Sequence, residues 1–259
     1  MECYEKGVLS KEQLGGLDMS WGNVEAVRKL MGMVAHRQGI GDILAEGVMR
    51  AAQEIGGEAT KFAIHTAKGN TPRGHDHRAR WSEMFDTSVS NTGTLETSGI
   101  MRPESLKLLG LTPASDGFSW EEVSTHEAKT KGVMMFEDSL GVCRFNSRTD
   151  MMLLPEAVAA SCGWEDFTPK EAVESGLRVV NILRAFNIRH GISPELDRPS
   201  FRYGSVPLDG PAAGTGVMPV WDKMLANYYS LMGWDTKGVP TRKTLKALGI
   251  EGLADDLGV

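Results

Sequence analysis

A carboxylate, a glycine and a thiol lie close together in the segment Asp138-Ser-Leu-Gly-Val-Cys143. The carboxylate of Asp138 can accept hydrogen bonds from the N–H groups of a heterocycle. Gly141 allows a ligand to approach the backbone closely. A deprotonated Cys143 is a soft ligand of the kind that iron–sulfur clusters use. These groups would suit a loop that contacts a cofactor. On these residues alone, the favoured interpretation is the alternative, that Asp138 caps a helix N-terminus and that Cys143 is a buried, inert thiol.

A second polar segment, His75-Asp-His-Arg-Ala-Arg80, contains two imidazoles, one carboxylate and two guanidinium groups. Its two histidines, His75 and His77, are separated by one residue and flanked by arginine, which is a poor pattern for structural zinc. The guanidinium groups suit an anionic ligand. The alternative is a solvated loop held by local salt bridges.

A third segment, Asp86 to Glu96, is rich in hydroxyl groups and ends in a carboxylate. A carboxylate held inside a protein can transfer protons during catalysis. Glu96 has the chemistry for this role if it is buried. The alternative is that Glu96 is a surface residue at the start of a helix.

The elements that must position these side chains are predicted to be helices. Apolar residues from Val24 to Val34 recur at helical spacing behind Asn23, and a second helix is expected to begin at Asp42 and to run to Gly56. Further helices are expected at about 103–109, 120–136, 151–162, 169–186 and 218–232, with Thr168 as an N-cap. Strand patterns are scarce, so the predicted fold class is mainly α. The polar loop that starts near Thr66 suggests two domains, 1–67 and 68–259.

Composition excludes several classes of function. The formal net charge of −6 and the pI near 5.6 argue against a nucleic-acid-binding surface. No apolar run approaches the roughly 20 residues that span a bilayer. The first residues are too charged for a signal peptide. Three cysteines are too few and too scattered for a disulfide framework, so a reducing cytoplasm is the expected location.

Four segments in a fixed order carry a resemblance to a known family. They are Gly39-Ile-Gly-Asp-Ile-Leu-Ala-Glu-Gly-Val48, the Asp138–Cys143 segment, Arg184-Ala-Phe-Asn-Ile-Arg-His-Gly191, and Tyr228-Tyr-Ser-Leu-Met-Gly-Trp-Asp235 running to Pro240-Thr241. They resemble the C-terminal half of the tungsten-dependent aldehyde ferredoxin oxidoreductases. The hexamer is similar to that family's Asp-x-x-Gly-Leu-Cys motif, with Val142 in place of leucine.

The resemblance implies both a fold and cofactors. Residues 1–67 would be part of the family's helical domain 2, and 68–259 would be its helical domain 3. The implied cofactors are a tungsten bis-pterin (tungstopterin) and a [4Fe–4S] cluster. Cys143 would be the fourth cluster ligand, while Asp138, Gly141, Val142 and Arg73 would contact the pterin.

The resemblance also implies partners. The family's β-rich N-terminal domain and its Cys-x-x-Cys-x-x-x-Cys motif are not in this sequence, so a missing N-terminal part of the enzyme is expected. Ferredoxin or a similar electron carrier would accept the electrons, and a homodimer is compatible with the family. No nucleic-acid or membrane partner is expected.

The implied activity is oxidation of aldehydes to carboxylic acids. Glu96, His75 and His77 would be catalytic, because their segments match family segments that flank the active site. Glu96 stands where the family has a histidine, and Thr92 stands where it has an arginine. One alternative is a subunit fragment resembling the tungsten-dependent benzoyl-CoA reductases. Another is a catalytically silent, truncated helical module.

Overall fold

The computed structural model describes residues 1–93, 96 and 101–259. Helix accounts for 52% of the structure, and no strand forms among the described residues. This confirms the predicted mainly α class. The helices are α1 (Glu2–Glu5), α2 (Val24–Ala35), α3 (Ile40–Leu44), α4 (Val48–Ile55), α5 (Ala59–Phe62), α6 (Trp81–Val89), α7 (Pro103–Leu108), α8 (Trp120–Ser139), α9 (Arg144–Ser147), α10 (Leu153–Cys162), α11 (Pro169–Arg189), α12 (Trp221–Met232), α13 (Arg242–Ala247) and α14 (Leu253–Leu257), with short 3-10 helices at His77–Ala79 and Met218–Val220.

The chain forms two compact units. The first contains Met1–His75 together with Pro199–Ser205, and the second contains Asp76–Arg198 and Val206–Val259. The domain boundary at 67 that the sequence suggests stays a prediction, because compact units and family domains are different divisions of a chain. No helix among the described residues is long and apolar enough to cross a membrane.

The first unit is organised around helices α2 to α5. The side chain of Asn23 accepts a hydrogen bond from the backbone N–H of Ala26, 3.2 Å away, so the predicted cap of α2 is confirmed. The single helix expected from Asp42 is wrong. Gly47, with φ of +87°, separates α3 from α4, since this backbone conformation ends one helix and strongly favours glycine.

Helices α8, α11 and α12 form the centre of the second unit. The interior between α8, α10 and α11 is apolar and includes Val133, Phe136, Met151, Leu154 and Ala172. An aromatic group lies between α6 and α12, where the ring of Phe85 is 5.3 Å from Trp221 and 5.6 Å from Tyr228. These contacts pack tightly around α6, which begins the segment from Asp86 to Glu96, and around α8, which contains Asp138.

Helices α8 and α11 pack closely because each has a glycine where they meet. A Cβ atom on Gly132 would lie 2.8 Å from the carbonyl oxygen of Val173, and one on Gly176 would lie 2.8 Å from the backbone nitrogen of Phe136. Both distances are shorter than ordinary van der Waals contact. Gly132 follows Lys131, so this close packing fixes the position of the lysine on α8.

The predicted helices in the second unit correspond to observed ones, with shifts at their ends. The predicted N-cap Thr168 is confirmed at the start of α11, where it forms a capping box with Glu171. Helix α8 continues to Ser139 instead of ending at 136, so Asp138 belongs to its last turn. Helix α6 has no clear helical signal in the sequence, because its polar residues conceal its apolar face.

Candidate functional site

The Asp138–Cys143 segment connects α8 to α9 and is exposed along most of its length. Gly141 has φ of +67°, and open space surrounds the position where a Cβ would be. Cys143 is the residue before α9, and its thiol is exposed. Two hydrogen bonds, of 2.7 and 2.9 Å, join the Arg144 guanidinium to the two carboxylate oxygens of Asp138.

These positions correct both interpretations of the segment. The prediction of a loop from Asp138 onward is wrong at its start, because Asp138 and Ser139 finish α8. The alternative is also wrong, because Asp138 lies at a helix C-terminus and Cys143 is exposed. Two apolar side chains flank the thiol at the surface, Val142 with 41% and Phe145 with 69% of its area exposed.

The segment offers one thiolate, Cys143, to a cluster whose other ligands another protein segment would provide. A [4Fe–4S] cluster is usually held by four thiolates, and this sequence has only three cysteines. Cys143 belongs to no group of three or more potential metal ligands within the described ranges. Cys162 is exposed at the end of α10, and Cys3 is half-buried. An exposed thiol with open space beside Gly141 can accept a cluster whose remaining ligands come from elsewhere.

The guanidinium groups of the second polar segment are held by neighbouring carboxylates. Arg78 makes hydrogen bonds of 2.9 and 2.7 Å to Asp76, and this pairing lowers the pKa of Asp76. Arg80 makes one of 2.8 Å to Glu83. These contacts favour a loop held by local salt bridges and disfavour an anion-binding site. Arg73 is exposed.

The two histidines of this segment differ in environment. His75 is exposed, whereas only 1% of His77 is exposed. The Nε2 atom of His77 lies 3.2 Å from a carboxylate oxygen of Glu83, which belongs to α6. The burial of His77 has no signal in the sequence, because the surrounding residues are polar.

Glu96 belongs to a buried cluster of charged side chains, so its interpretation as a surface residue is wrong. Only 1% of Glu96 is exposed, and Asp86 and Lys131 are fully buried. The backbone N–H of Glu96 donates to Asp86 Oδ2 at 2.6 Å, and that of Thr92 donates to Glu96 Oε1 at 2.8 Å. Lys131 Nζ donates to Asp86 Oδ1 and lies 3.3 Å from Glu96 Oε2. We name Asp86, Glu96 and Lys131 the buried triad.

Electrostatic interactions keep Lys131 charged. Burial by itself lowers the pKa of Lys131, but attraction by the carboxylates of Asp86, Glu96 and Glu127 outweighs it and raises the pKa well above the ordinary value. The ring of Tyr228 is centred 5.9 Å from Lys131 Nζ. Burial raises the pKa of Tyr228, so this phenol stays neutral beside the ammonium group.

Helix α6 connects the His77 contact to the buried triad. Glu83 and Asp86 are three residues apart on α6, so their side chains lie on neighbouring positions of its surface. Glu83 contacts His77, and Asp86 contacts Glu96. A shared cavity for Glu96, His75, His77 and Asp138 stays a prediction.

Sequence reasoning missed Lys131 and Asp86, although α8 contains a usable signal. Ala128, Lys131 and Met135 follow one another at helical spacing on a buried face, so Lys131 interrupts an apolar stripe. A lysine in such a stripe needs a buried carboxylate partner. Nothing in the sequence identifies Asp86 as that partner, because it lies 45 residues away.

A groove of 1120 Å³ lies elsewhere in the second unit. Its lining includes Ala128, Leu177, Leu225 and Leu248, from α8, α11, α12 and the end of α13. None of the predicted site residues lines it.

The sequence matches the family model described as "Aldehyde ferredoxin oxidoreductase, domains 2 & 3" over residues 1–250. A tungsten-containing aldehyde ferredoxin oxidoreductase of Pyrococcus horikoshii is 29% identical over 97% of this chain and 41% of its own length. The aliphatic sulfonate oxidoreductase, WOR-like subunit, of Pyrococcus furiosus is 30% identical over 96% of this chain and 38% of its own length. The chain thus spans about two fifths of these curated relatives.

A solved structure shares the fold. It is the active site complex BamBC of benzoyl coenzyme A reductase with 1,5-dienoyl-CoA, which matches with a TM-score of 0.72 and 22% identity over 98% of this chain and 43% of that one. The helical architecture agrees with the arrangement expected for domains 2 and 3. The match to the family model over residues 1–250 shows that the chain belongs to the aldehyde ferredoxin oxidoreductase family, a family of oxidoreductases.

Proposed function

We propose that this chain is the C-terminal part of a tungsten-pterin, iron–sulfur oxidoreductase that oxidises aldehydes to carboxylic acids and passes the electrons to ferredoxin or a similar carrier. The observation that carries the proposal is the family match over residues 1–250. Relatives named tungsten-containing aldehyde ferredoxin oxidoreductase, from two Pyrococcus species, are each 29% identical to the chain. We place the enzyme in the cytoplasm.

The Asp138–Cys143 segment would hold the edges of both cofactors. Cys143 offers an exposed thiol as one cluster ligand. Asp138 would accept hydrogen bonds from the pterin, with Arg144 orienting its carboxylate, and Gly141 and Val142 would lie against the pterin together with Arg73. When bound, these groups would supply the two-electron redox chemistry and the path for the electrons.

The proposed role of Glu96 is to accept a proton. Oxidation of an aldehyde by water gives a carboxylic acid, two protons and two electrons, so the reaction requires a base. Glu96 is buried and is held by Thr92, Asp86 and Lys131, so its carboxylate has a fixed position. His77 and His75 would pass the proton towards solvent, since His77 is buried and His75 is exposed.

The remaining cluster ligands would come from a further polypeptide segment, the N-terminal part of the enzyme. This segment would carry three more cysteines and would cover the exposed Val142 and Phe145 beside Cys143. Association of two complete enzymes into a homodimer is compatible with this arrangement.

A reductive activity similar to that of the tungsten-dependent benzoyl-CoA reductases is the second candidate. The specific observation that favours it is the burial of Glu96, because a buried carboxylate can also deliver a proton during reduction. The fold likeness to the BamBC complex is compatible with this candidate but does not select it.

The test is to assemble the chain with the cysteine-bearing segment and to measure metals and activity. We expect bound tungsten and iron, together with reduction of a viologen dye that depends on added aldehyde. Benzoyl-CoA-dependent oxidation of reduced viologen without aldehyde activity would favour the second candidate. A protein that binds no metal and catalyses neither reaction would instead be a silent helical module.

Replacing Cys143 tests the cluster assignment separately. In the complete enzyme, Cys143→Ala should lower the iron content, because one thiolate–iron bond is lost, while the helical circular dichroism stays unchanged. Cys162→Ala is the matched control, since Cys162 is also exposed, and it should leave the iron content unchanged. Equal iron in both variants would contradict the assignment.

A further inference from the structure

The buried triad contains more negative than positive charge. Asp86 and Glu96 are carboxylates around a single ammonium group, and all three side chains are at most 1% exposed. Glu127, one turn before Lys131 on α8, is also buried and adds to the negative potential at the lysine. A cluster of this kind keeps its carboxylates ionised only through well-placed donors, because burial of unpaired charge is strongly unfavourable.

The donors are distributed unequally among the carboxylate oxygens. Asp86 Oδ1 accepts from Lys131, and Asp86 Oδ2 accepts from the backbone N–H of Glu96. Glu96 Oε1 accepts from the backbone N–H of Thr92. Glu96 Oε2 lies 3.3 Å from Lys131 Nζ, but no group in the described part of the chain makes a hydrogen bond to it. Glu96 Oε2 therefore lies in the positive potential of Lys131, and its lone pairs remain available to accept a proton.

The other charged or titratable groups near the triad come from two further helices. Tyr228 of α12 is neutral, because burial raises the pKa of its phenol. Arg184 of α11 is paired with Asp197, 2.9 Å away. Lys131 is thus the one cation in the described part of the chain that forms an ion pair with Glu96.

We propose that Lys131 and Asp86 are positioning residues for Glu96, holding its carboxylate ionised with Oε2 available to take up a proton. This inference rests on the proposed function, because it assigns the proton-accepting role of Glu96 to one atom and to two supporting residues. Asp86 fixes the backbone of Glu96 and anchors the ammonium group. Lys131 stabilises the negative charge on Glu96 without saturating Oε2.

The experiment uses Lys131→Met in the complete enzyme, with Lys129→Met as the matched control, because Lys129 is exposed on the same helix. Removing the ammonium group removes the ion pair that favours the ionised form of Glu96, so its protonated form should be more populated in the variant. Infrared spectra should then show a protonated carboxyl band that is absent from the parent enzyme. This band should disappear when Glu96→Gln is added. The Lys129→Met spectrum should match the parent.

The kinetic readout separates positioning from general stability. We expect kcat of Lys131→Met at neutral pH to fall about tenfold or more with KM unchanged. The acidic limb of its rate profile should move to higher pH by about 1–3 units, the usual effect of a nearby opposite charge. A variant with an unaltered spectrum and an unmoved profile would overturn the proposal.

The double variant Asp86→Asn with Lys131→Met covers the case in which the single variant fails to fold. It removes one charge of each sign, so the net charge of the triad is unchanged, and Glu96 loses its cation. The carboxyl band should again appear, and its absence would overturn the proposal. The infrared readout needs no turnover, so it remains decisive if the enzyme proves inactive towards aldehydes, which would refute only the proposed function.

Discussion

The contact between Gly132 and Gly176 leads to a prediction opposite to that of helix propensity. Gly176 lies in the interior of the long helix α11, where replacement of glycine by alanine normally stabilises a helix by about 1 kcal/mol. In this structure the added Cβ would overlap the carbonyl group of Gly132 and would lie 2.8 Å from the nitrogen of Phe136. These are backbone atoms of α8, so no side-chain rotation relieves the overlap.

The two effects can be compared in magnitude. An extra carbon in a close-packed interior costs about 1–3 kcal/mol, and a backbone overlap belongs at the upper end of that range. Subtracting the gain in helix propensity leaves a net destabilisation of about 2 kcal/mol for Gly176→Ala. The displaced segment of α8 includes Lys131, so the buried triad should be disturbed as well.

Urea denaturation followed by far-ultraviolet circular dichroism measures this effect. Gly32→Ala is a helical control in α2, where an added Cβ meets nothing within 4 Å. It should stabilise the first unit by about 0.5–1 kcal/mol. Gly117→Ala, also in open space, should be nearly neutral in the second unit. A Gly176→Ala variant at least as stable as the parent would refute the close approach of α8 and α11.

Two further predictions concern buried charge. Arg184→Met should destabilise the chain by about 3–5 kcal/mol in thermal or chemical denaturation, because it leaves the buried carboxylate of Asp197 without its cation. Arg28→Met, which removes an exposed pair, should change stability by less than about 1 kcal/mol, and equal effects would contradict this account. The melting temperature should fall above about pH 10, because the folded-state pKa values of Lys131 and Tyr228 lie above their ordinary values of 10.5 and 10.0. Their stabilising contributions are complete below those values and are lost as pH rises through the folded-state values. Tyr228→Phe should weaken this dependence, and a flat profile from pH 9 to 12 would contradict it.

Most of the helical fold was accessible from the sequence. Asn23 and Thr168 mark helix starts by side-chain caps that depend only on neighbouring residues, and both caps are present. The end of α8 was less predictable, because two consecutive acidic residues, Glu137 and Asp138, are typical of a polar loop. Glu137 is buried instead and accepts hydrogen bonds from Thr149, 3.1 Å from its backbone nitrogen and 2.8 Å from its hydroxyl. Such a long-range partner has no local signal.

The candidate site was predicted less completely. The types of Cys143 and Glu96 identified them as chemically capable, and the family resemblance gave them roles. Their environments required the structure, because the exposure of Cys143 and the burial of Glu96 depend on distant segments. The contact of Glu96 with Lys131 joins two elements whose pairing no periodicity reveals.

The first compact unit is discontinuous in sequence, and this affects the order of events during synthesis. Ser200 donates its backbone N–H to the carbonyl of His65 at 2.8 Å and its hydroxyl to the carbonyl of Ala63 at 2.9 Å, and Pro199 pairs with Thr66 in an isolated antiparallel bridge. These contacts cannot form until the ribosome has made the segment that returns to the first unit. At about 5–20 residues per second, the delay is on the order of ten seconds. During that interval the nascent first unit lacks its closing segment, and the backbone groups of Ala63 and His65 that the segment pairs with stay open to solvent.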